Sequence, residues 1–378
     1  MENFTMEIPT SFSRPDFINE IRADVARNNS RLQKHGLNAS VYADPQKSSL
    51  LLVKKADDWM RQEYGKPQPR QLFGEFWHQG ELCIMFADTN LGKSILGVQI
   101  GINLAKYSSD EPFYNQLGVP ANVLYVDFEM SAKQFESRYY HSQWGSFNFG
   151  HQFFRAEFNP QADNPVLYPD YNESLAASLG AAITATKATV LIIDNLTYMR
   201  TGTERAQEAL PLIKQIKALK AKHQLSVLML AHTPKRNPAN PITVNDLQGS
   251  KMLINFCDSA FAIGQSQSKP ATRYLKQVKQ RNARQTYGAD NVCLCHIQQE
   301  LNYLHFVFDG YGNEQDHLQK HDRSQQIHLA RELKQGGQSI RQISRQLGVS
   351  IGTVYNLLNQ TTPAEPNTPE TEPEQQDQ

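Results

Sequence analysis

The stretch FADTNLGKS, Phe86 to Ser94, ends in Gly92-Lys93-Ser94, a glycine followed by an ammonium and a hydroxyl. That combination suits phosphate. Backbone N–H groups of a tight loop wrap the oxygens, and a helix that starts there aims its positive end at them. Lys93 would reach the β- and γ-phosphates of ATP, and Ser94 would hold Mg²⁺. The loop as a whole, Ala87, Asp88, Thr89, Asn90, Leu91, Gly92, Lys93 and Ser94, is the expected nucleotide cradle. Ala87 stands where the first glycine of G-x-x-x-x-G-K-[ST] belongs. That glycine mainly serves the turn, and alanine is the smallest substitute. Asn90 tolerates left-handed backbone better than most residues.

Three further polar groups end apolar runs. Val123-Leu-Tyr-Val-Asp127-Phe-Glu129 closes on two carboxylates, expected side by side by the period of two along a strand. Val190-Leu-Ile-Ile-Asp194 closes on one. A carboxylate at the carboxyl end of a buried strand beside a phosphate loop is placed to hold Mg²⁺ through water. Each could instead cap a turn. His232 ends Leu225–Ala231 and either senses the γ-phosphate or caps the strand.

The elements that must position these groups follow from periodicity. Strands are expected at Leu82–Phe86, Asn122–Asp127, Thr189–Asp194, Leu225–Ala231, Ala260–Ile263, Arg273–Val278, Val292–Gln298 and Tyr303–Phe308. Helices are expected at Ser94–Tyr107, Ser131–Tyr140, Glu173–Thr186 and Glu204–His223. Alternation of the two implies βαβ units and a mostly parallel sheet, with an antiparallel edge where the last runs crowd together. The expected fold class is therefore α/β. Four regions follow: 1–70, helical and linker-like, with helices near Pro15–Gln33 and Ala56–Tyr64 before the breaker Gly65-Lys-Pro-Gln-Pro69; 71–310, the α/β core; 320–360, all-helical; and 361–378, a disordered acidic tail with four prolines, five acidic residues and no basic ones.

Composition excludes more than it assigns. Lys+Arg and Asp+Glu are equal at 38 each, so overall charge gives no argument for nucleic acid. No apolar run approaches the ~20 residues of a membrane span, and no leader pattern is visible, so a cytoplasmic protein is expected. The four cysteines are spaced for neither zinc nor a disulfide framework and read as small buried hydrophobes.

Taken in order, these strand ends resemble the RecA-like P-loop NTPase core, and within it the branch of plasmid RepA helicases and DnaB-type hexameric helicases. The stretch DFEMSAKQFESRYY, Asp127 to Tyr140, resembles that branch's E-M-S context. The resemblance implies that Glu129 polarises the attacking water, that Asp194 is the Walker B aspartate, and that His232 is the polar sensor. LKQVKQRNARQ, Leu275 to Gln285, resembles the K-x-R-N stretch such enzymes insert into a neighbour. It implies a hexamer-like homo-oligomeric ring in which Lys279 and Arg281 act in trans on the γ-phosphate. The alternative for the stretch is a solvated basic strand. The aromatic segment His141 to Tyr171 has no counterpart in the family and reads as packing before it reads as a DNA-stacking surface.

The resemblance also implies DNA. Loops after the third and fourth core strands would face the ring channel, where Arg200, Arg205, Lys235 and Arg236 could track phosphates; they could equally be ordinary solvated loops. Residues 324–360 resemble the helix-turn-helix of resolvase-type and homeodomain-like modules. Gly336-Gly337 breaks one helix, Ser339 and Ser350 cap the next two, and Ile351, Thr353, Tyr355 and Asn356 would face a major groove. Lys320 to Gln360 carries six basic residues against two acidic. A helical docking module is the alternative. The expected function is an ATP-hydrolysing, DNA-associated ATPase in replication or mobilisation of a plasmid-like element, with helicase activity as one form of it. Its rivals are an ATP-switched regulator or loader without unwinding, and a RecA-fold protein that binds nucleotide without turnover.

Overall fold

A computed structural model gives the structure, which describes residues 51–108, 112–159, 171–195, 206–234, 236–247, 250–319 and 323–359. The expected helix at 15–33, Arg200, Arg205, Lys235, part of the aromatic segment and the acidic tail lie outside these residues. The chain divides into two compact units, Met1–Gln68 and Pro69–Gln378. In the first, α1 (Ala56–Glu63) is an exposed helix with an Arg61–Asp58 ion pair.

In the second unit the elements run β1 (Gln71–Phe73), β2 (Trp77–His78), β3 (Leu82–Ala87), α2 (Lys93–Lys106), β4 (Val123–Asp127), α3 (Ala132–Arg138), β5 (Tyr140–His141), β6 (Gly145–Ser146), β7 (Phe153–Ala156), α4 (Tyr171–Thr186), β8 (Val190–Asp194), α5 (Ala206–His223), β9 (Ser226–His232), α6 (Ser250–Phe256), β10 (Ser259–Gln265), β11 (Thr272–Lys279), β12 (Val292–Glu300), β13 (Tyr303–Gly312), α7 (Arg323–Gln335), α8 (Ile340–Leu347) and α9 (Ile351–Asn359). Nine strands form one sheet in the order β13-β12-β11-β10-β3-β9-β8-β4-β7. Pairing is parallel from β10 through β7 and antiparallel from β10 to β13. This is an α/β fold of the RecA-like P-loop type, with the antiparallel edge the sequence implies.

Alternation along the central strands sorts the core into two layers. Cys83, Met85, Tyr125, Ile192 and Leu230 face α2, while Ile84, Phe86, Leu124, Leu191 and Met229 face α4, α5 and α6. Buried on both faces, these strands need no polar residue until they end, so their ends are where polar residues gather. Close approach of α2 depends on Gly101, where a methyl would lie 2.7 Å from Phe153. The β12–β13 hairpin folds over α2. There the Gln99 amide acts as one more strand for the edge: Nε2 donates to the Phe306 carbonyl at 2.9 Å and the Phe306 N–H donates to Oε1 at 2.8 Å.

Most of the aromatic segment is packing: Phe147, Phe149 and Phe153 join Phe135, Tyr139 and Tyr303, while Trp144 and Phe158 stay exposed. Within it lies β7, a sheet strand that the sequence pattern did not signal. All four cysteines are buried, and burial pushes the Cys257 thiol up to about 11.

Helices α7, α8 and α9 enclose a small core of their own: Ile327, Ala330, Ile343, Leu347, Val354 and Leu357. The Ser339–Gln342 capping box starts α8, Gly348 at φ +66° ends it, and the Ser350 hydroxyl accepts from the Thr353 N–H at 3.1 Å to start α9. Ile351, Tyr355 and Asn356 are exposed and Thr353 is half-buried, the face expected of them.

Gln99→Leu should leave two buried backbone groups of Phe306 unmatched, at a cost of about 1–3 kcal/mol. The check is the urea midpoint followed by far-ultraviolet circular dichroism.

Candidate functional site

The loop between β3 and α2 takes its shape from two residues. Asn90 sits at φ +64° and Gly92 at φ +94°. At Gly92 a methyl would also lie 2.7 Å from Ile297 and 2.9 Å from Phe306. Ala87 is an ordinary strand residue paired with Ile263 and His232, so the missing glycine leaves no strained backbone behind it.

A cleft of ≈ 260 Å³ opens at the carboxyl ends of the parallel strands, lined by Thr89, Asn90, Gly92, Lys93, Ser94, Ile95, Glu129, Arg138 and His232. Of the expected cradle, Ala87 is buried in the sheet, Leu91 packs in the core, and the Asp88 carboxylate accepts from the Thr233 hydroxyl. None of the three lines the cleft.

Lys93 is buried and shares its ammonium among three acceptors, each at 3.1 Å: the Ala87 carbonyl, the Asp88 carbonyl and His232 Nδ1. An ammonium only donates, so His232 carries its proton on Nε2 and donates it to Glu129 Oε1 at 3.1 Å. The Asn195 amide donates to the same oxygen. Burial lowers the Lys93 pKa, and Glu129, Asp194 and Asp88 oppose it. The hydrogen bond from His232 holds Glu129 below the usual carboxylate range, with Lys93 and Arg138 adding to it.

The expectation that Asp127 and Glu129 stand side by side is corrected. The strand ends at Asp127, so its alternation does not reach Glu129. Asp127 is buried; its Oδ1 accepts from the Glu129 and Met130 N–H groups at 3.1 and 2.9 Å, and its Oδ2 accepts two bonds from Arg155. It shapes the turn that delivers Glu129 to the cleft.

Asp194 lies beneath the loop, fully buried. Its Oδ2 accepts the Tyr125 hydroxyl at 2.5 Å, and its Oδ1 is buried with no hydrogen-bond partner among the described residues. Burial pushes its carboxyl up to about 6, and the Ser94 and Tyr125 hydroxyls oppose this. A buried carboxylate oxygen without a partner, next to the Ser94 hydroxyl, fits a site for hydrated Mg²⁺.

Lys279 and Arg281 are elsewhere. Lys279 is level with Ala260 and Ile84, at the end of the sheet opposite the phosphate loop. Its ammonium donates to the carbonyls of Ile254 and Cys257, capping α6. Arg281 is half-exposed, donates to the Asn255 carbonyl at 3.1 Å and lies 3.7 Å from Asp258. Neither serves the cleft of its own chain.

Two residues escaped the sequence pattern: Arg138 in the cleft's lining and the buried Asn195 behind Glu129. Asn195 directly follows Asp194, and a polar residue in that position was a readable signal. Arg138, the last residue of α3, makes no hydrogen bond or ion pair among the described residues and faces the cleft. Nothing in its spacing marks it.

The profile of the AAA domain family matches residues 48–238, just over half of the chain. The chain belongs to this family. The family supports a P-loop ATPase, and the matched range takes in the phosphate loop and ends inside the loop after β9. A crystal structure of a KaiC-like protein from the hyperthermophilic archaeon Pyrococcus horikoshii is similar over 64% of this chain and 99% of its own, at 11% identity and a TM-score of 0.43. No curated protein matches the chain. Among the described residues, no helix is long and apolar enough to cross a membrane.

Asp194 yields a pH test with a definite sign. Its folded value lies above the usual carboxylate value of about 4, so folding favours the protonated form. That stabilisation is complete below about pH 4 and is lost as pH rises through about 6. Without added metal or nucleotide, Asp194→Asn should gain on wild type across that window, by up to about 3 kcal/mol. Urea unfolding at a series of pH values measures it. Addition of Mg²⁺ and ATP should stabilise wild type and leave the variant nearly unmoved.

Proposed function

We propose that this chain is an ATP-hydrolysing, DNA-associated ATPase that acts as a homo-oligomer in replication or mobilisation of a plasmid-like element. The observation that carries the catalytic part is the hydrogen-bonded line Lys93–His232–Glu129 across the cleft. A γ-phosphate that draws Lys93 off His232 changes the group that holds the base. Glu129, ionised by its surroundings, orients the attacking water and takes its proton, while Asn195 fixes the carboxylate's direction. Arg138 supplies positive charge from the same chain to the transferring phosphoryl group. Mg²⁺, when bound, would neutralise charge between the phosphates, held by Ser94 and Asp194. Glu129→Gln should lower kcat by about 10²–10⁴-fold with nucleotide affinity retained. The measurement is phosphate release without DNA, with single-stranded DNA and with duplex DNA. Equal rates in all three for wild type, and no loss in the variant, would sink the motor reading.

The trans role rests on Arg281, the more exposed of the two cations. Lys93→Ala and Arg281→Ala chains should each be inactive alone. A mixed oligomer should regain part of the wild-type rate, because some interfaces then pair an intact loop with an intact Arg281. No recovery on mixing would remove Arg281 from the site.

For DNA, support comes from the three-helix module and the exposed face of α9 with Ile351, Tyr355 and Asn356. Arg236 is half-buried and donates to the Asn240 carbonyl at 2.5 Å, so it shapes its loop as well as charging it. The Asn237 amide of that loop lies against Gly348 of the module, which favours a second reading, an ATP-switched DNA-binding regulator or loader. ATP-dependent duplex binding without strand separation would select it.

A further inference from the structure

The segment after β9 is fastened at both ends and carries a load in the middle. Upstream, His232 accepts from Lys93 and donates to Glu129. The Thr233 N–H donates to the Ala87 carbonyl at 3.1 Å, and the Thr233 hydroxyl donates to Asp88. The first two residues are therefore part of the phosphate loop's own hydrogen bonding. Downstream, the buried Ile242 is gripped from two sides. Its N–H donates to Glu314 Oε1 at 2.8 Å and its carbonyl accepts from Lys276 at 2.7 Å, and Lys276 and Glu314 form a buried ion pair. Between these anchors Asn237 closes a turn: its Oδ1 accepts from the Ala239 N–H at 3.0 Å and its carbonyl from the Asn240 N–H at 3.1 Å.

The crest of that turn bears on the C-terminal module. The Pro238 carbonyl accepts from the Gln319 N–H at 3.2 Å. Asn237 Nδ2 rests against Gly348 so closely that a methyl on Gly348 would lie 2.3 Å from it. Gly348 is the left-handed residue that ends α8 and sets the direction of α9. An amide N–H there faces the carbonyl end of α8, the electrically favourable choice.

We propose that the loop of residues 233–242 is a seat for the turn between α8 and α9, and that a nucleoside triphosphate in the cleft resets this seat through His232 and Thr233, so that nucleotide and the three-helix module's ligand influence each other. The proposal rests on the reading of the cleft as the nucleotide site. The route is short and physical: a phosphate that takes Lys93 withdraws the donor to His232 Nδ1, the first residue of a segment whose far anchor is buried. Movement must then appear in the middle, where Asn237 touches Gly348. By linkage the same coupling runs backwards, from module to cleft.

The test uses the full chain and no DNA. Hydrogen exchange of the amides in residues 346–353 is measured with and without ATPγS and Mg²⁺, beside a titration with a fluorescent ATP analogue. In wild type, nucleotide should change exchange there by about fivefold or more. Asn237→Asp keeps the oxygen that closes the turn and sets a carboxylate against the α8 carbonyls; Asn237→Ala removes both groups and serves if the first variant folds poorly. Both should bind the analogue as wild type does and lose the exchange response. Binding without any change in wild-type exchange overturns the coupling, and so does a response that survives in both variants. Failure to bind the analogue would instead overturn the nucleotide site, and the coupling with it.

Discussion

The ammonium of Lys93 is the constraint around which the site is built. It is buried, which disfavours its charge, yet it lies in the field of Glu129, Asp194 and Asp88, which restores it. Its three hydrogens have three acceptors, and that census decides the rest. Two are loop carbonyls, so the ammonium staples its own loop. The third is a histidine nitrogen, so the proton of His232 is forced to the far side of the ring, where Glu129 accepts it. One lysine thus sets loop shape, histidine tautomer and the ionisation of the expected base. Any anion that competes for the ammonium disturbs all three together.

The sheet explains why these groups meet. The central parallel strands β3, β4, β8 and β9 are buried on both faces, and each chemical group appears where the apolar run ends: Asp127 and Asp194 as last residues, His232 as the last of β9, the phosphate loop after Ala87. Register does the rest. Ala87 pairs with His232 and Asp127 with Asp194, so the strand ends are flush, and the loop and turn that leave them line one cleft with His232. Glu129 is delivered by a turn, and that turn is held by Asp127, which Arg155 of the edge strand β7 in turn holds.

This also shows what was legible in the sequence. Strongly apolar runs such as Val190–Asp194 declare a central strand, and the polar residue after each run declares the site. Edge structure declares itself poorly. β7 is four half-buried residues with an arginine in their midst, and that arginine belongs there only because Asp127 is its partner across the sheet. The short hairpin of Gln71–Phe73 and Trp77–His78 gave no alternation to read. Arg138 is a helix residue with ordinary spacing. Its importance lies in where α3 ends, which depends on the Ser131 cap and the turn before it. Lys279 shows the converse. Its motif suggests a cation for a neighbour's phosphate, but burial gives it work at home on the carbonyls that end α6. The motif's outward-facing part is therefore Arg281.

The site is paid for in stability. Asp194 is held in the core with one oxygen unmatched among the described residues, and Lys93 is buried beside it. Both arrangements favour losing charge in the folded chain. A protein selected for stability alone would place an amide or an apolar residue at position 194. A carboxylate with a free Oδ1 beside the Ser94 hydroxyl is instead suited to a cation, and hydrated Mg²⁺ fits that donor set. The cost is tolerable because Asp194 ends a strand whose four preceding residues, Val190 to Ile193, are buried in the middle of the sheet. Neighbouring strands on both sides hold it in register. The rigid centre of the sheet thus carries the strained acid. The parts expected to respond to nucleotide, His232 and the segment beyond it, begin where the regular pairing of β9 stops.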